Sequence, residues 1–457
     1  MIVRYLRRLF KCAKMPVIVI LGATGVGKSQ LSIEIASRFK GEVISADSMQ
    51  VYKNLDVTTN KVTAEEMAGV PHHIIDFVDP VDSFTVVDFR NRALPIVERL
   101  RESGKIPVIV GGTNYYIESI LWDTLVDPES IPGSDFAAST QMFPGCDESS
   151  ESLHARLKEV DPERANELHP GDRRKVLRSL DIYARKKKPH SEFLKQQAKA
   201  GGLLGGPLRY DKALMLLIKS DQSVLEERLD ARVDKMIERG LIKEMLDFHK
   251  QFNESRPKHD YELGIFQSIG FKEFHKYLIS SDEFRESEKG KKAFQASLWL
   301  MKQRTKRYSK EQMKWIRRRF LQAPGRGVPP VYELDATDLE RWNENVRDVA
   351  LEIVEDFLNN VETPRHKPVE IREVEREPVS QRVCECGTIC MNQSSWEAHL
   401  KSRQHHRKKK KLEEQKNSDP DAGPKRLRVL KESKQSGDGE KSSADLSEQV
   451  KEAGNCA

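Results

Sequence analysis

The chain has 457 residues, of which 38% are apolar and 32% charged, and a formal net charge of +6. That length predicts two globular units plus a tail. No window approaches the roughly 18–20 unbroken apolar residues of a membrane span, so no membrane partner is expected. Six cysteines, three of them clustered at Cys384, Cys386 and Cys390, exclude a disulfide scaffold and point to a reducing compartment and a metal site, with Cys12, Cys146 and Cys456 as free thiols.

The first fourteen residues hold five basic residues and no acid. Arg4, Arg7, Arg8 and Lys11 share a helical face opposite Ile2, Leu6, Leu9 and Phe10, the pattern of a mitochondrial presequence, which predicts a leader over residues 1–15. Val17–Gly22 (VIVILG) then reads as a buried strand of a parallel sheet. Behind it, Gly22-Ala23-Thr24-Gly25-Val26-Gly27-Lys28-Ser29 satisfies G-x-x-x-x-G-K-[ST] at every fixed position. Glycines let successive backbone N–H groups point inward at an anion, and the following helix adds its positive end. Lys28 neutralises phosphate oxygens, and the Ser29 hydroxyl is suited to Mg²⁺. Apolar spacing through Leu31, Ile35 and Phe39 predicts a helix over Lys28–Phe39.

Glu42–Asp47 (EVISAD) and Ile106–Gly112 (IPVIVGG) predict two further strands. Strands alternating with helices predict a doubly wound α/β core, with its ligand at the carboxyl edge of the sheet. The phosphate loop does not say what carries the phosphates. A small-molecule kinase is one reading, but such enzymes keep a second acid on a neighbouring strand, whereas IPVIVGG ends in Gly111-Gly112-Thr113. Asp47 is the only well-placed carboxylate, which suffices for expelling diphosphate as a leaving group. A non-enzymatic RNA-binding protein is the third reading.

Residues 126–150 are rich in Pro, Ser, Gly and Asp and predict a surface loop; 151–198 predict a basic helical insertion. A break at LLGGPLRY precedes the apolar strand ALMLLI, and helices are expected over Gln222–Phe252 and Lys289–Phe320. Past about Asn360 the chain is polar and poor in aromatics, so disorder is expected apart from the cysteine cluster. Cys386, His399 and His405 keep a zinc finger's spacing of twelve residues, then five. Val383 occupies the place of a C-x₂-C partner, which leaves Cys384 or Cys390 as the first ligand. Trp396 and Leu400 would form the finger's small core. The basic runs Arg317–Arg319, Arg407–Lys411 and Lys425–Arg428 suit nucleic acid or, for the last two, nuclear import receptors.

Ser45–Tyr52 (SADSMQVY), the loop LGATGVGKS and Gly111–Tyr116 together resemble the tRNA dimethylallyltransferase (isopentenyltransferase) family, and its eukaryotic members in the tail. Further matches follow in family order: Pro71-His72-His73, Asp161-Pro162, His169-Pro170 with Arg173–Arg178, Arg228–Glu244, Gln267–Glu273 and Thr305–Tyr308. The resemblance covers about residues 16–320. It implies a P-loop NTPase-like parallel sheet with a helical tRNA-binding insertion, and a C-terminal zinc finger in a largely disordered tail. It divides the chain into a core over 16–125 and 208–358, an insertion over 126–207, a linker over 359–381, a finger over 382–406 and a basic tail over 407–457.

The implied reaction moves a dimethylallyl group from dimethylallyl diphosphate to N6 of adenosine 37 in tRNA, with Mg²⁺ assisting. The product is N6-isopentenyladenosine plus diphosphate. Asp47 matches the residue that takes the N6 proton, and Thr24 a position near the bond being broken. Diphosphate would be held by Thr24 to Ser29 and by Arg232, with Arg228 as second choice. The base must leave the stacked anticodon loop to reach the donor. Asp47, Ser48, Met49, Gln50 and Thr113 would contact the extruded nucleotide, and Arg174, Lys175, Val176, Leu177 and Arg178 the rest of the tRNA. Zinc would be structural, held by Cys384, Cys386, His399 and His405. The expected enzyme is a monomer of mitochondrion and cytoplasm, with a nuclear fraction. Two departures stand out. Glu311 replaces one of two basic residues that the family carries before Gln312, which puts a tRNA contact there in question. The loop 126–150 matches nothing in the family.

Overall fold

Alternation along the first strand decides the architecture. Val17, Val19 and Leu21 enter one core, Ile18 and Ile20 the other, and all five are fully buried. Side chains of a strand point alternately to its two faces, so a strand apolar at every position must be covered on both. The computed structural model describes residues 14–123, 148–201, 206–254, 261, 264–322, 325–361, 365–372, 374 and 377–418. It separates into two units, residues 1–377 and 378–457. The expected leader, Cys12, Cys146, Cys456, most of the loop 126–150 and the run Lys425–Arg428 lie outside the described residues.

The first unit is built on β1 (Val17–Gly22), α1 (Lys28–Phe39), β2 (Glu42–Ser45), β3 (His72–His73), α2 (Val86–Glu102), β4 (Pro107–Val110) and α3 (Asn114–Leu121). After an insertion come β5 (Ala213–Lys219) and β6 (Val331–Asp335). The strands form one parallel sheet in the order β3-β2-β4-β1-β5-β6. The chain runs outward from β1 on one side, then returns and continues on the other, so the carboxyl ends of β1, β2 and β4 meet at the point where the order reverses. The doubly wound core and the strand Val17–Gly22 are as expected. The short edge strand β3 and the late strand β6 were not legible, since neither follows a long apolar run.

The insertion holds α4 (Ser150–Val160), α5 (Pro162–Glu167), α6 (Arg173–Lys186) and α7 (His190–Gly201). It has its own small core of Leu153, Leu157, Ala165, Leu168, Val176, Leu177 and Leu180. Buried Asp161 ties it together, accepting from the backbone N–H groups of Arg164 at 3.1 Å and Ser191 at 2.8 Å.

Beyond β5 the expected helix Gln222–Phe252 is two helices, α8 (Gln222–Glu238) and α9 (Leu241–Phe248), followed by a π-helical turn. Gly240, at φ 93°, makes the break. α10 (Phe271–Leu278) and α11 (Asp282–Glu286) lead into α12 (Glu288–Ile316), 29 residues long, and α13 (Asp348–Asn359) closes the unit. α8 and α12 are laced by three ion pairs: Lys302–Asp234 at 2.6 Å, Lys306–Asp230 at 2.7 Å and Lys310–Glu226 at 2.8 Å. None of the helices described is long and apolar enough to cross a membrane.

The second unit has a hairpin, β7 (Arg382–Val383) and β8 (Ile389–Cys390), then α14 (Gln393–Leu400) and α15 (Arg403–Ser418). This corrects the expectation of an irregular tail from 407: the run Arg407–Lys411 lies on a helix that continues to Ser418.

Candidate active site

The loop between β1 and α1 needs its glycines. Gly25 and Gly27 have φ of 86° and 94°. A Cβ on Gly25 would lie 2.7 Å from Leu229, and one on Gly27 2.6 Å from the ring of Trp342. Lys28 is turned back into the loop and donates to the Ala23 carbonyl at 2.7 Å. Val26 is buried, so it offers an anion only its backbone. Thr24 is already engaged twice: its N–H donates to Gln312 Oε1 at 2.8 Å, and its hydroxyl accepts from Arg232 Nη1 at 2.9 Å. Its hydroxyl proton remains for an incoming oxygen.

Across from the loop, the turn after β2 is locked to the turn after β4. Thr113 N–H donates to the Ala46 carbonyl at 3.1 Å, and Ser48 N–H to Thr113 Oγ1 at 2.9 Å. A Cβ at Gly111 would sit 2.1 Å from the Ala46 carbonyl oxygen, so only glycine permits this approach. Asp47 is thereby fixed, with Oδ1 accepting from Met49 N–H at 2.9 Å. Gln50 serves the framework, donating to the carbonyls of Thr59 and Asn60.

The two turns and the helices α8 and α12 enclose one cleft of about 510 Å³. Lys28, Ser29, Asp47, Arg232, Arg304 and Gln312 supply its polar wall, and Met49, Val233, Met236, Ile269 and Met301 an apolar one. Ser48 and Gln50 line it too; Thr113 stands behind them as the anchor of Ser48.

Charge in the cleft is unbalanced. Burial pushes the Lys28 ammonium down to about 8, helped by the Arg232 charge and opposed by Asp47. Burial likewise lowers Arg232, again against the pull of Asp47. Neither cation has a carboxylate within 4.0 Å among the described residues, and Arg232 Nε is buried without a partner. Two desolvated cations beside a ring of backbone donors are costly unless an anion joins them.

Other expected site residues fall elsewhere. Arg228 donates to the carbonyls of Ala336 at 2.6 Å and Thr337 at 2.5 Å, so it holds the chain after β6 and leaves Arg232 as the one of the two α8 candidates that lines the cleft. On α6, Val176 and Leu177 are buried in the insertion's core, which takes their side chains away from any RNA and leaves them only a backbone role there. Arg174 and Lys175 are exposed and Arg178 is half-buried. Arg319 pairs with buried Glu118, which also takes Arg326 at 2.7 Å, so of the run Arg317–Arg319 only the first two are exposed. Arg304, Tyr308 and Gln312 were missed as site residues. Their spacing of four on a helix puts them on one face, and that was the available clue.

Residues 50–319 match the family model described as IPP transferase, and residues 15–82 that described as isopentenyl transferase. The chain belongs to the IPP transferase family. It is 45% identical over 401 residues to a human tRNA dimethylallyltransferase, covering 86% of this chain and 85% of that one. The Saccharomyces cerevisiae tRNA dimethylallyltransferase is 36% identical over 350 residues, covering 75% and 76%. A solved structure of a eukaryotic dimethylallyltransferase acting on tRNA matches with a TM-score of 0.73 at 30% identity, covering 89% of this chain and 99% of that one.

Beyond the IPP transferase core, the second unit gathers Cys384, Cys386, His399 and His405, with ligand atoms all within 4.8 Å of one another. Cys386 Sγ lies 3.3 Å from His399 Nε2, His399 Nε2 3.2 Å from His405 Nδ1, and Cys384 Sγ 3.5 Å from His405 Nδ1. With bonds of about 2.3 Å to sulfur and 2.0 Å to nitrogen, a tetrahedral zinc site has edges of about 3.3–3.8 Å, so the donor set fits zinc. Of the two candidates for a first ligand, Cys384 is in the cluster and Cys390 is buried outside it. Leu400 is exposed and does not form a core there, while Trp396 is partly buried beside His399.

Proposed function

We propose that the enzyme, a tRNA prenyltransferase by family, transfers a dimethylallyl group from dimethylallyl diphosphate to N6 of adenosine 37. One observation carries this reading. The same cleft holds two cations, buried Lys28 and half-buried Arg232, that have no carboxylate within 4.0 Å among the described residues, and one carboxylate, Asp47, on the opposite turn.

The diphosphate takes the cationic side, with the loop N–H groups and the Thr24 hydroxyl proton on its oxygens. The prenyl chain lies along Met49, Val233, Met236 and Met301. The amine of an extruded adenine is a weak nucleophile because its lone pair is delocalised into the ring. As the N6–C1 bond forms and the C1–O bond breaks, Asp47 accepts the N6 proton and diphosphate leaves with the bonding pair. Charge grows on the leaving oxygens, where Lys28, Arg232 and Thr24 stabilise it. Mg²⁺, when bound, neutralises diphosphate oxygens. Ser29 is a hard oxygen donor beside Lys28, and magnesium's preference for waters and substrate phosphates matches this sparse protein donor set. Zinc in the second unit is structural in this reading. The acid-free, basic first fourteen residues support a mitochondrial pool beside a cytoplasmic one.

The test incubates the protein with dimethylallyl diphosphate, Mg²⁺ and unmodified tRNA carrying adenines at 36–38, and looks by mass for added C5H8 at position 37. Turnover of ATP without tRNA, and no C5H8, would return the reading to a small-molecule kinase.

A further inference from the structure

Among the cations of α12, those paired to α8 and the one lining the cleft are held differently. Lys302, Lys306 and Lys310 are each committed to an acid of α8 at 2.6–2.8 Å. Arg304 is on the cleft side of the same helix, where it lines the cavity with Met301, Thr305, Tyr308 and Gln312. The carboxylate within reach of it is Glu311, at 3.5 Å, beyond a good charge-assisted hydrogen bond. Glu311 is more tightly held by Arg307, at 2.9 Å. Arg304 and Glu311 are each nearly half exposed.

Exposure says which phosphate Arg304 meets. Gln312, which touches the phosphate loop at Thr24, is buried, and so is Lys28. Arg304 is nearly half exposed and its guanidinium runs along α12 to Glu311, so its charge stands at the solvent margin of the cleft. The donor's diphosphate, clasped by the loop, takes the buried side. A nucleotide whose base reaches Asp47 brings its own backbone through the opening.

We propose that Arg304 binds a backbone phosphate of the acceptor RNA next to the extruded nucleotide, exchanging its loose contact with Glu311 for a charge-assisted pair. This rests on the prenyltransferase reading above. Glu311 then acts as a competitor: it holds Arg304 and Arg307 in the free enzyme and must yield one of them when RNA arrives.

The experiment measures tRNA binding against salt and donor KM for the full-length wild type, Arg304→Gln and Glu311→Gln, with C5H8 transfer by the wild type in the same preparation. Arg304→Gln should weaken tRNA binding about tenfold at low salt and flatten the slope of log Kd on log salt by about 0.7–0.9, one phosphate's worth. Its donor KM should shift less than about twofold, because an exposed charge is screened by solvent and salt from a diphosphate held on the buried side. Glu311→Gln, which removes the competitor, should tighten tRNA binding about threefold. An unchanged salt slope in Arg304→Gln while the wild type transfers C5H8 overturns the inference alone. A rise in donor KM with tRNA binding intact overturns it in favour of the donor's diphosphate. No transfer by the wild type overturns the functional reading, and the inference with it.

Discussion

Gln312 Oε1 accepts the backbone N–H of Thr24 at 2.8 Å, joining residues 288 apart in the chain. Its Nε2 donates to the Gly112 carbonyl at 2.9 Å. One amide near the end of α12 thus spans the phosphate loop and the turn after β4, the two pieces that define the cleft. Gln312→Leu leaves both backbone groups without that partner in a largely buried place, a cost of about 1–3 kcal/mol. The expected outcome is a donor KM raised about tenfold with tRNA affinity much less affected. A loss confined to tRNA binding would show that the amide serves the acceptor instead.

Asp47→Asn keeps size, and its Oδ1 can still accept from Met49 N–H. What disappears is the ability to take a proton. General-base assistance contributes about 10²–10⁴ in rate, so kcat should fall by at least about 100-fold while the tRNA Kd moves less than about threefold. Rapid-quench single-turnover assays with filter binding on the same preparation check this. Equal losses in rate and binding would make Asp47 a binding residue and leave the base unidentified.

The finger offers a cleaner separation. Cys384 lies in the four-ligand cluster and Cys390 outside it, although both are buried in the same hairpin. Cys384→Ser should lose bound zinc, read by elemental analysis of the purified full chain, and Cys390→Ser should keep it. Loss only with Cys390→Ser would reverse the choice of first ligand, and retention by both variants would show that neither thiol is required. The prenyl-transfer rate at saturating tRNA is expected to survive Cys384→Ser, since the reacting groups named above all belong to the first unit.

The phosphate loop and β1 were legible because local rules suffice for them: glycines at positive φ, and an apolar run buried on both faces. Asp47 was legible as the acid ending a strand. What escaped was set by distant packing. Arg228 and Arg232 lie on one helix with the same spacing logic, yet only the second faces the cleft, because the first is drawn to the chain after β6, a strand the sequence did not announce. Val176 and Leu177 sit inside a basic motif, and only the insertion's own core shows that they point inward. Gln312 looks like an ordinary polar helix residue until the fold brings Thr24 to it.

Lys28 makes the pH dependence of donor binding predictable. In the empty protein its charge is disfavoured by burial, which brings it from 10.5 down to about 8. Between those values the unfolded chain holds more of this proton than the folded one, so this group's penalty on stability is full below about pH 8 and fades as pH rises toward 10.5. Bound diphosphate works in the opposite direction: its negative charge favours the ammonium and raises the value again. Binding near pH 8 should therefore take up a fraction of a proton, and donor affinity should weaken progressively as pH climbs past about 8. Calorimetric titration in buffers of differing ionisation enthalpy measures the uptake directly. Lys28→Met should bind more weakly and lose this dependence. A wild-type affinity flat from about pH 7.5 to 9.5, with no proton uptake, would mean that Lys28 is not the cation meeting the diphosphate.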